Sequence, residues 1–344
     1  MLIREVIAAL KRAIKDRPLC ISTQMDAFTT AAYVLAAFTL LSLIGKLYRL
    51  LVFTYTYFPD IHNHNINKYM WSERSYALVT GATDGIGKAL AIELYTRGFN
   101  VIIHGRNDAK LAAVCDEVRG SSAKEGDVRI WKEDAGVGRW DSKPLLDITQ
   151  GIDLTFVALV NGGVDVVDYP FDGQTEDEVN HIMSLNFMFS VHVIRTLMPS
   201  LRLSATRGPV TLFGLGSVVA LAPFPHFALY GAGKRALEFV LWTVAADERF
   251  HGRGQNLNIK YIQVGNVHTA SNPAPPDWQT PTSAAFAKDI LRRIDAPWRW
   301  AAANFVHAVT AWFMGILPEN VAERMAQHFL KEKWGEKLTG KRSD

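Results

Sequence analysis

The sequence predicts a doubly wound α/β fold, a parallel sheet with helices on both faces, preceded by a membrane-anchor helix and followed by a helical C-terminal extension. Three observations predict it. Six short apolar runs alternate with segments of helical periodicity between residues 76 and 264, the pattern of repeated β-α-β units. A glycine cluster joins the first run to the first helix, and a serine, a tyrosine and a lysine stand at fixed intervals further on. With 344 residues and 49% apolar content the chain can bury a full core, and what exceeds a domain of about 250 residues lies at its two ends.

Residues 1–26 read as a basic amphipathic helix. Leu2, Ile3, Val6, Ile7, Leu10 and Ile14 recur at helical spacing with Arg4, Lys11, Arg12 and Lys15 between them, which suits an anionic membrane surface. Ala27 to Gly45 is nineteen residues without a charge; at about 1.5 Å each they match a hydrocarbon core of about 30 Å. Lys46 and Arg49 follow, then a second apolar stretch, Leu50 to Phe58, so residues 27–58 are expected to anchor the chain in a membrane. A cleaved signal peptide, with an apolar region of about 7 to 15 residues close to the terminus, fits this stretch poorly. Thr29, Thr30, Thr39 and Ser42 dilute the run and keep a helix lying in the interface, or packed on the domain, as an alternative. Basic residues on both sides leave the orientation open. Residues 59–73, with His62 to Tyr69 at their centre, read as a polar linker.

Residues 74–272 carry the sheet. The strand candidates are Tyr76 to Thr80, Val101 to His104, Val128 to Trp131, Leu154 to Val160, Pro209 to Phe213 and Ile259 to Val264. After the first comes Thr-Gly-Ala-Thr-Asp-Gly-Ile-Gly, with Gly81, Thr83, Asp84, Gly85, Ile86 and Gly87 leading into a helical stretch, Lys88 to Arg97. Strand, glycine turn and helix N-terminus together form an anion site, because small residues let the backbone approach a pyrophosphate while free amides point at it. At the end of the second strand stand His104, Gly105 and Arg106. No acid is present there to bind a ribose 2′-hydroxyl, and a guanidinium suits a 2′-phosphate, so NADP(H) is the expected cofactor. Thr175 and Glu178 form a capping box at the start of a helix that Pro199 is expected to follow.

Ser217, Tyr230 and Lys234 carry the chemistry. Tyr230 and Lys234 are four apart in Tyr-Gly-Ala-Gly-Lys, so on a helix both face one side and an ammonium can lie near a phenol. A free tyrosine, with a pKa of about 10, holds its proton too tightly for exchange near neutrality, and an adjacent cation favours the phenolate. Ser217, just past a strand, could orient a carbonyl oxygen toward Tyr230. Tyr-x-x-x-Lys alone equally describes a solvated helix face; the glycine turn upstream tips the balance.

These residues together resemble the short-chain dehydrogenase/reductase family over roughly Tyr76 to Thr269. The resemblance implies a Rossmann-like sheet and a catalytic tetrad of Asn186, Ser217, Tyr230 and Lys234. Val160 to Gly163 is similar to the family's Asn-Asn-Ala-Gly element, with Asn161 at a cofactor-binding position. Val264 to Thr269 is similar to the segment that grips the nicotinamide carboxamide, which implicates Val267 and the Thr269 hydroxyl. Asp134 takes the place of the adenine contact. Val160 and Val264 depart from the pattern at backbone-shaping positions. The N-terminal anchor, the glycine motif continued by Lys88, and His307-Ala308 followed by Leu317-Pro318 resemble the subgroup of very-long-chain 3-oxoacyl-CoA reductases and related hydroxysteroid dehydrogenases. That subgroup implies anchoring in the endoplasmic reticulum with the catalytic domain facing the cytosol, and the family implies pairing into a homodimer. The chain ends Gly-Lys-Arg-Ser-Asp, without a dilysine retrieval signal.

Residues 273–344 read as a lid and a helical extension. Pro273, Pro275 and Pro276 forbid regular helix over the active site, and Ser283 to Ile294 reads as a helix. Trp300 to Leu317 is eighteen residues without a formal charge, either a second membrane-contacting helix or one that covers the substrate cleft. The family's seventh strand has no recognisable counterpart.

Composition excludes other classes. A net charge of +3 is too small for nucleic-acid binding, and Cys20 and Cys115 are too few for a disulfide framework or a metal cluster. The sequence is therefore expected to encode a membrane-associated NADPH-dependent ketoreductase acting on a lipophilic carbonyl, with Tyr230 as general acid. A sterol, retinoid or specialised-metabolite oxidoreductase of the same family, or a non-enzymatic membrane scaffold, are the rivals.

Overall fold

The structure, a computed structural model, describes residues 23–57, 66–123, 125–163, 171–296 and 300–335; the amphipathic pattern at Leu2 to Lys15 lies outside them. The chain forms two units, Met1–Pro59 and Asp60–Asp344. In the first, Thr23–Tyr57 is one continuous helix, α1, that runs through Lys46 and Arg49. Its stretch Ala27–Tyr57 is long and apolar enough to cross a membrane, with a mean hydropathy of 1.9.

The second unit is a seven-stranded, wholly parallel sheet of order β3-β2-β1-β4-β5-β6-β7. Its strands are β1 (Ser75–Val79), β2 (Asn100–Gly105), β3 (Val128–Lys132), β4 (Asp153–Leu159), β5 (Val210–Leu215), β6 (Leu257–Gln263) and β7 (Trp300–Ala302). Both faces of the central strands are covered, which is why β1, β4 and β5 read as largely apolar runs, whereas β3 and β6 carry Arg129, Lys132, Asn258 and Lys260. Alternate residues supply two cores. Ala77, Val79, Val101 and Ile103 pack with helices α2 (Gly85–Thr96), α3 (Asp108–Gly120) and α8 (Ser283–Arg293). Tyr76, Leu78 and Ile102 pack with α4 (Lys143–Thr149), α6 (Phe189–Ala205) and α7 (Ala228–Phe250). Chain order reverses between β1 and β4, and the carboxyl ends of strands at such a reversal are where sheets of this kind form a crevice that binds ligands.

Four features differ from the sequence reading. A seventh strand exists: β7 pairs parallel with β6 through Tyr261 and Trp300, Ile262 and Ala301, Gln263 and Ala302. At three residues it has no periodicity of its own and hides inside the uncharged run, which Asn304 then divides by capping α9 (Phe305–Ile316). Pro199 lies inside α6 rather than beyond it. A proline in a helix interior costs about 3 kcal/mol, and here burial of Leu197, Met198, Leu201 and Ala205 carries the helix past it. The expected polar linker ends early, since Ile66–Tyr69 is a 3-10 turn whose Ile66 and Tyr69 belong to the core. Finally, the helix bearing Asn186 is interrupted: α5 (Glu176–Met183), which starts with the expected capping box, passes through a π turn, Ser184–Met188, into α6. The chain ends in α10 (Glu319–Trp334).

Candidate active site

The glycine loop leaves β1 under tight steric rules. Gly81 and Gly85 have φ of +62° and +54°, values that favour glycine. A Cβ on Gly87 would stand 2.2 Å from the Gly81 carbonyl oxygen, so the first turn of α2 rests directly on the loop. Asp84 caps α2 by accepting from the Gly85 amide at 2.7 Å, which leaves the following amides of that turn to an anion. Gly105 ends β2 where a Cβ would meet the Thr83 methyl at 2.4 Å. Beside it Arg106 makes a loose, exposed ion pair with Asp134, 3.8 Å apart. The two residues expected at the adenosine end are thus neighbours across adjacent strand ends.

Asn161 is used differently from expectation. Its Oδ1 accepts from the Thr80 hydroxyl at 2.8 Å and from Ser190 at 3.2 Å, while its amide donates to the Leu185 carbonyl at 2.7 Å. The side chain is consumed in tying the glycine loop, the end of β4 and the π turn together. What Asn161 offers the crevice is its carbonyl, which accepts from the Lys234 amine at 3.4 Å.

The four tetrad residues converge. Ser217 follows β5 in extended conformation and caps a 3-10 turn, Val218–Leu221. Its hydroxyl accepts from the Val219 amide at 3.3 Å and lies near enough to the Tyr230 phenol to favour the phenolate. Tyr230 and Lys234 stand one turn apart on α7, with the amine 5.7 Å from the ring centroid. Asn186 is fully buried in the π turn; its amide donates to the carbonyls of Gly163 and Ile182, both at 3.0 Å, and its Oδ1 accepts from the Gly163 amide. Gly162 joins the groups, since a Cβ there would lie 2.7 Å from the Lys234 amine and 2.9 Å from Asn186 Oδ1.

The electrostatics invert one expectation. Burial pushes the Tyr230 phenol above its ordinary pKa, with the Ser217 hydroxyl working the other way. Lys234 is itself pulled down to about 8 by burial, and an amine whose own charge is disfavoured, 5.7 Å from the ring centroid, does little to ionise the phenol.

Three residues to which the sequence reading gives no part in holding the site, His104 and His307 among those it names and Tyr261 among those it does not, hold this arrangement. His104, buried on β2, accepts from the Gly81 amide through Nδ1 at 3.1 Å, and its Nε2 faces the Glu133 carbonyl at 3.1 Å. His307, buried on α9, accepts from the Gly265 amide at 3.1 Å, with Nε2 3.0 Å from the Asn266 carbonyl. Burial lowers both imidazoles, His104 to about 3, so both are neutral. Tyr261 on β6 donates to the Lys234 carbonyl at 3.1 Å and fills the space a Cβ on Gly216 would need.

The nicotinamide-side segment is well tied. Val267 is buried, and the Thr269 hydroxyl accepts from the Asn272 amide at 2.9 Å. A Cβ on Gly85 would stand 3.1 Å from the Thr269 methyl, so this segment and the glycine loop face each other closely. The proline-bearing loop is irregular, as expected, but Asp277 closes it by accepting from the amides of Gln279 and Thr280. Among the described residues no cluster of metal-ligating side chains occurs. The left-handed glycines, the absent Cβ atoms and the amides at the α2 N-terminus form a cradle that fits a dinucleotide.

The sequence profile of the short chain dehydrogenase family matches residues 75–280. The chain is similar to the very-long-chain 3-oxoacyl-CoA reductase of Pyricularia oryzae, 25% identical with 72% of each chain covered. It is also similar to the protein of that name in Eremothecium gossypii, 28% identical over 81% of this chain and 77% of the other. Among solved structures, a 7β-hydroxysteroid dehydrogenase superposes with a TM-score of 0.62 at 18% identity, covering 74% of this chain and 96% of the other; at that identity the likeness concerns the fold.

Proposed function

The chain belongs to the short chain dehydrogenase family, and on that premise we propose that it is a membrane-associated, NADPH-dependent ketoreductase reducing a lipophilic carbonyl of the 3-oxoacyl-CoA kind. The observation that carries this reading is the convergence of Ser217, Tyr230, Lys234 and Asn186 beside the glycine loop, around a glycine with no room for a Cβ. Relatives named very-long-chain 3-oxoacyl-CoA reductase support the substrate class. The helix Ala27–Tyr57 supports membrane association, and by the subgroup resemblance the membrane is that of the endoplasmic reticulum, with the catalytic unit, 74–272, on the cytosolic side.

When bound, the nicotinamide supplies a hydride to the carbonyl carbon. Tyr230 gives its phenolic proton to the carbonyl oxygen, and Ser217 holds that oxygen against the phenol. A phenol that burial keeps protonated suits the acid half of a reduction. Lys234 binds the nicotinamide ribose, and Asn186 holds a water that returns protons through Lys234. Gly81, Thr83, Asp84, Gly85, Ile86 and Gly87 cradle the pyrophosphate. Val267 and Thr269 hold the carboxamide, Arg106 takes the 2′-phosphate, and Asp134 lies by the adenine.

The test is Tyr230→Phe in detergent-solubilised full chain, assayed with 3-oxoacyl-CoAs and with NADPH against NADH. Turnover falls by roughly a hundredfold or more, the scale of a lost general acid, while NADPH still binds and outperforms NADH in the parent. Retained turnover in the variant overturns the assignment.

A further inference from the structure

Helix α9 has no charged residue, and one side of it is buried: His307, Ala308, Ala311 and Met314. The other side presents Phe305, Val309, Trp312, Phe313 and Ile316 to the outside, with Trp312 60% exposed. Among the exposed residues of α9 only Thr310 carries a polar side chain. Helix α10 repeats the theme along a stripe. Val321, Met325 and Phe329, four residues apart, are exposed, while Ala322, Ala326 and Leu330 are buried. The remaining surface of α10 is polar, with Glu323, Arg324, Gln327, His328 and Lys331. Exposed apolar residues gathered on one face of each of two successive helices mark an interaction site.

The face is connected to the catalytic tyrosine. Ring centroids step from Phe329 to Phe224 at 6.4 Å, to Phe227 at 6.4 Å and to Tyr230 at 6.1 Å. Phe224 and Phe227 are set by a β-turn in which Pro225 is followed by His226 at φ +65°, closed by the Phe227 amide donating to the Phe224 carbonyl. Helix α9 also packs on the turn Val218–Leu221 that follows Ser217.

We propose that the outer face of α9 and the Val321–Met325–Phe329 stripe of α10 bed into a lipid bilayer, and that Phe329, Phe224 and Phe227 line the way by which a substrate dissolved in that bilayer reaches Tyr230. This rests on the reading of the site as a reductase of lipophilic carbonyls. Three observations favour lipid over a second copy of the chain. A protein interface carries a polar rim and about one hydrogen bond per 100–200 Å², which the exposed side of α9 cannot supply. An apolar stripe backed by a polar face, as on α10, is the pattern of a helix lying in a membrane interface. The same chain carries a helix able to cross a bilayer.

The test has two arms, both in full chain reconstituted into phosphatidylcholine vesicles. In the first, with Cys20 and Cys115 replaced by alanine, nitroxide labels are placed at Val309, Ile316, Met325 and, as reference, Gln327. Collision with oxygen relative to a water-soluble nickel chelate is severalfold higher at the first three than at Gln327. Equal ratios at all four positions overturn the proposal; so do dipolar-broadened labels that neither reagent reaches, which would place a second copy on the face. In the second, the double variant Val309→Glu, Ile316→Glu loses at least fivefold in kcat/KM for a long-chain 3-oxoacyl substrate held in the vesicles, and less than twofold for a short water-soluble 3-oxoacyl thioester. Equal losses, or none, overturn the route. If the parent chain turns over neither substrate, the reductase reading fails and the docking surface is decided by the labels alone.

Discussion

On one wall of the crevice the Gly81 amide is held by His104; on the other the Gly265 amide is held by His307, at the same 3.1 Å. Each imidazole is buried and faces a backbone carbonyl through Nε2. The walls differ in what brings the histidine there. His104 lies on the strand next to the glycine loop, within the first β-α-β unit, so local folding delivers it. His307 lies on α9, forty-two residues from Gly265, and reaches it only once β7 and α9 have docked. One wall is therefore intrinsic to the nucleotide-binding half, whereas the other depends on the C-terminal segment that also bears the exposed apolar face.

The largest effect that separates the walls is Gly87→Ala. The added methyl meets a backbone oxygen at 2.2 Å, so the loop itself must move, and NADPH affinity falls by roughly a hundredfold, the equivalent of about 2.7 kcal/mol. Titration of NADPH fluorescence measures it; unchanged affinity would mean that the first wall is not the pyrophosphate site. Next come His104→Phe and His307→Phe, each leaving a buried amide without its acceptor at a cost of about 1–3 kcal/mol. The comparison predicts a split: His104→Phe raises the Kd for NADPH, whereas His307→Phe lowers kcat with less change in Kd. His307→Asn, which restores an acceptor, recovers part of the loss. Identical changes in both parameters would erase the distinction between the walls.

The smallest expected effect concerns a group that works between the walls. Lys234 is buried with its pKa lowered to about 8, so the folded state binds fewer protons than the unfolded one between about pH 8 and the ordinary lysine value of about 10.4. Its stabilising contribution is complete above that window and is lost as pH falls through 8. At pH 7 Lys234→Met therefore raises stability by about 1–2 kcal/mol, and the gain shrinks as pH rises through the window. Paired denaturant melts at pH 7 and pH 10 check the sign, and a destabilised variant at pH 7 would refute it.

What the sequence discloses follows the same division. The strand, glycine turn and helix at Tyr76 to Thr96, and the pair Tyr230 and Lys234, are defined by spacing along one element, and they stand as read. The capping box at Thr175 is equally local. β7 escapes because three residues cannot show a period and tertiary pairing with β6 alone makes them a strand. His104, His307 and Tyr261 escape for a related reason, since a lone histidine or tyrosine in an apolar segment gives no sign of which distant backbone group it will meet. Asn161 shows the converse: its position is legible, but its side chain is spent on Thr80, Ser190 and Leu185, partners the linear order does not juxtapose. The phenol's acidity belongs here too, because burial is a property of the assembled core.

The π turn at Ser184–Met188, where the Phe189 amide reaches back to the Ser184 carbonyl, puts an unusual constraint on this stretch. Removing one residue would let the ladder revert to a regular helix, but each residue advances an α-helix by about 100°, so the residues inside the turn would change their facing and carry the Asn186 carboxamide off Gly163. Chain length between Glu176 and Phe189 is therefore less negotiable than the identity of most side chains in it, and a single-codon deletion is the lesion this enzyme is least equipped to absorb.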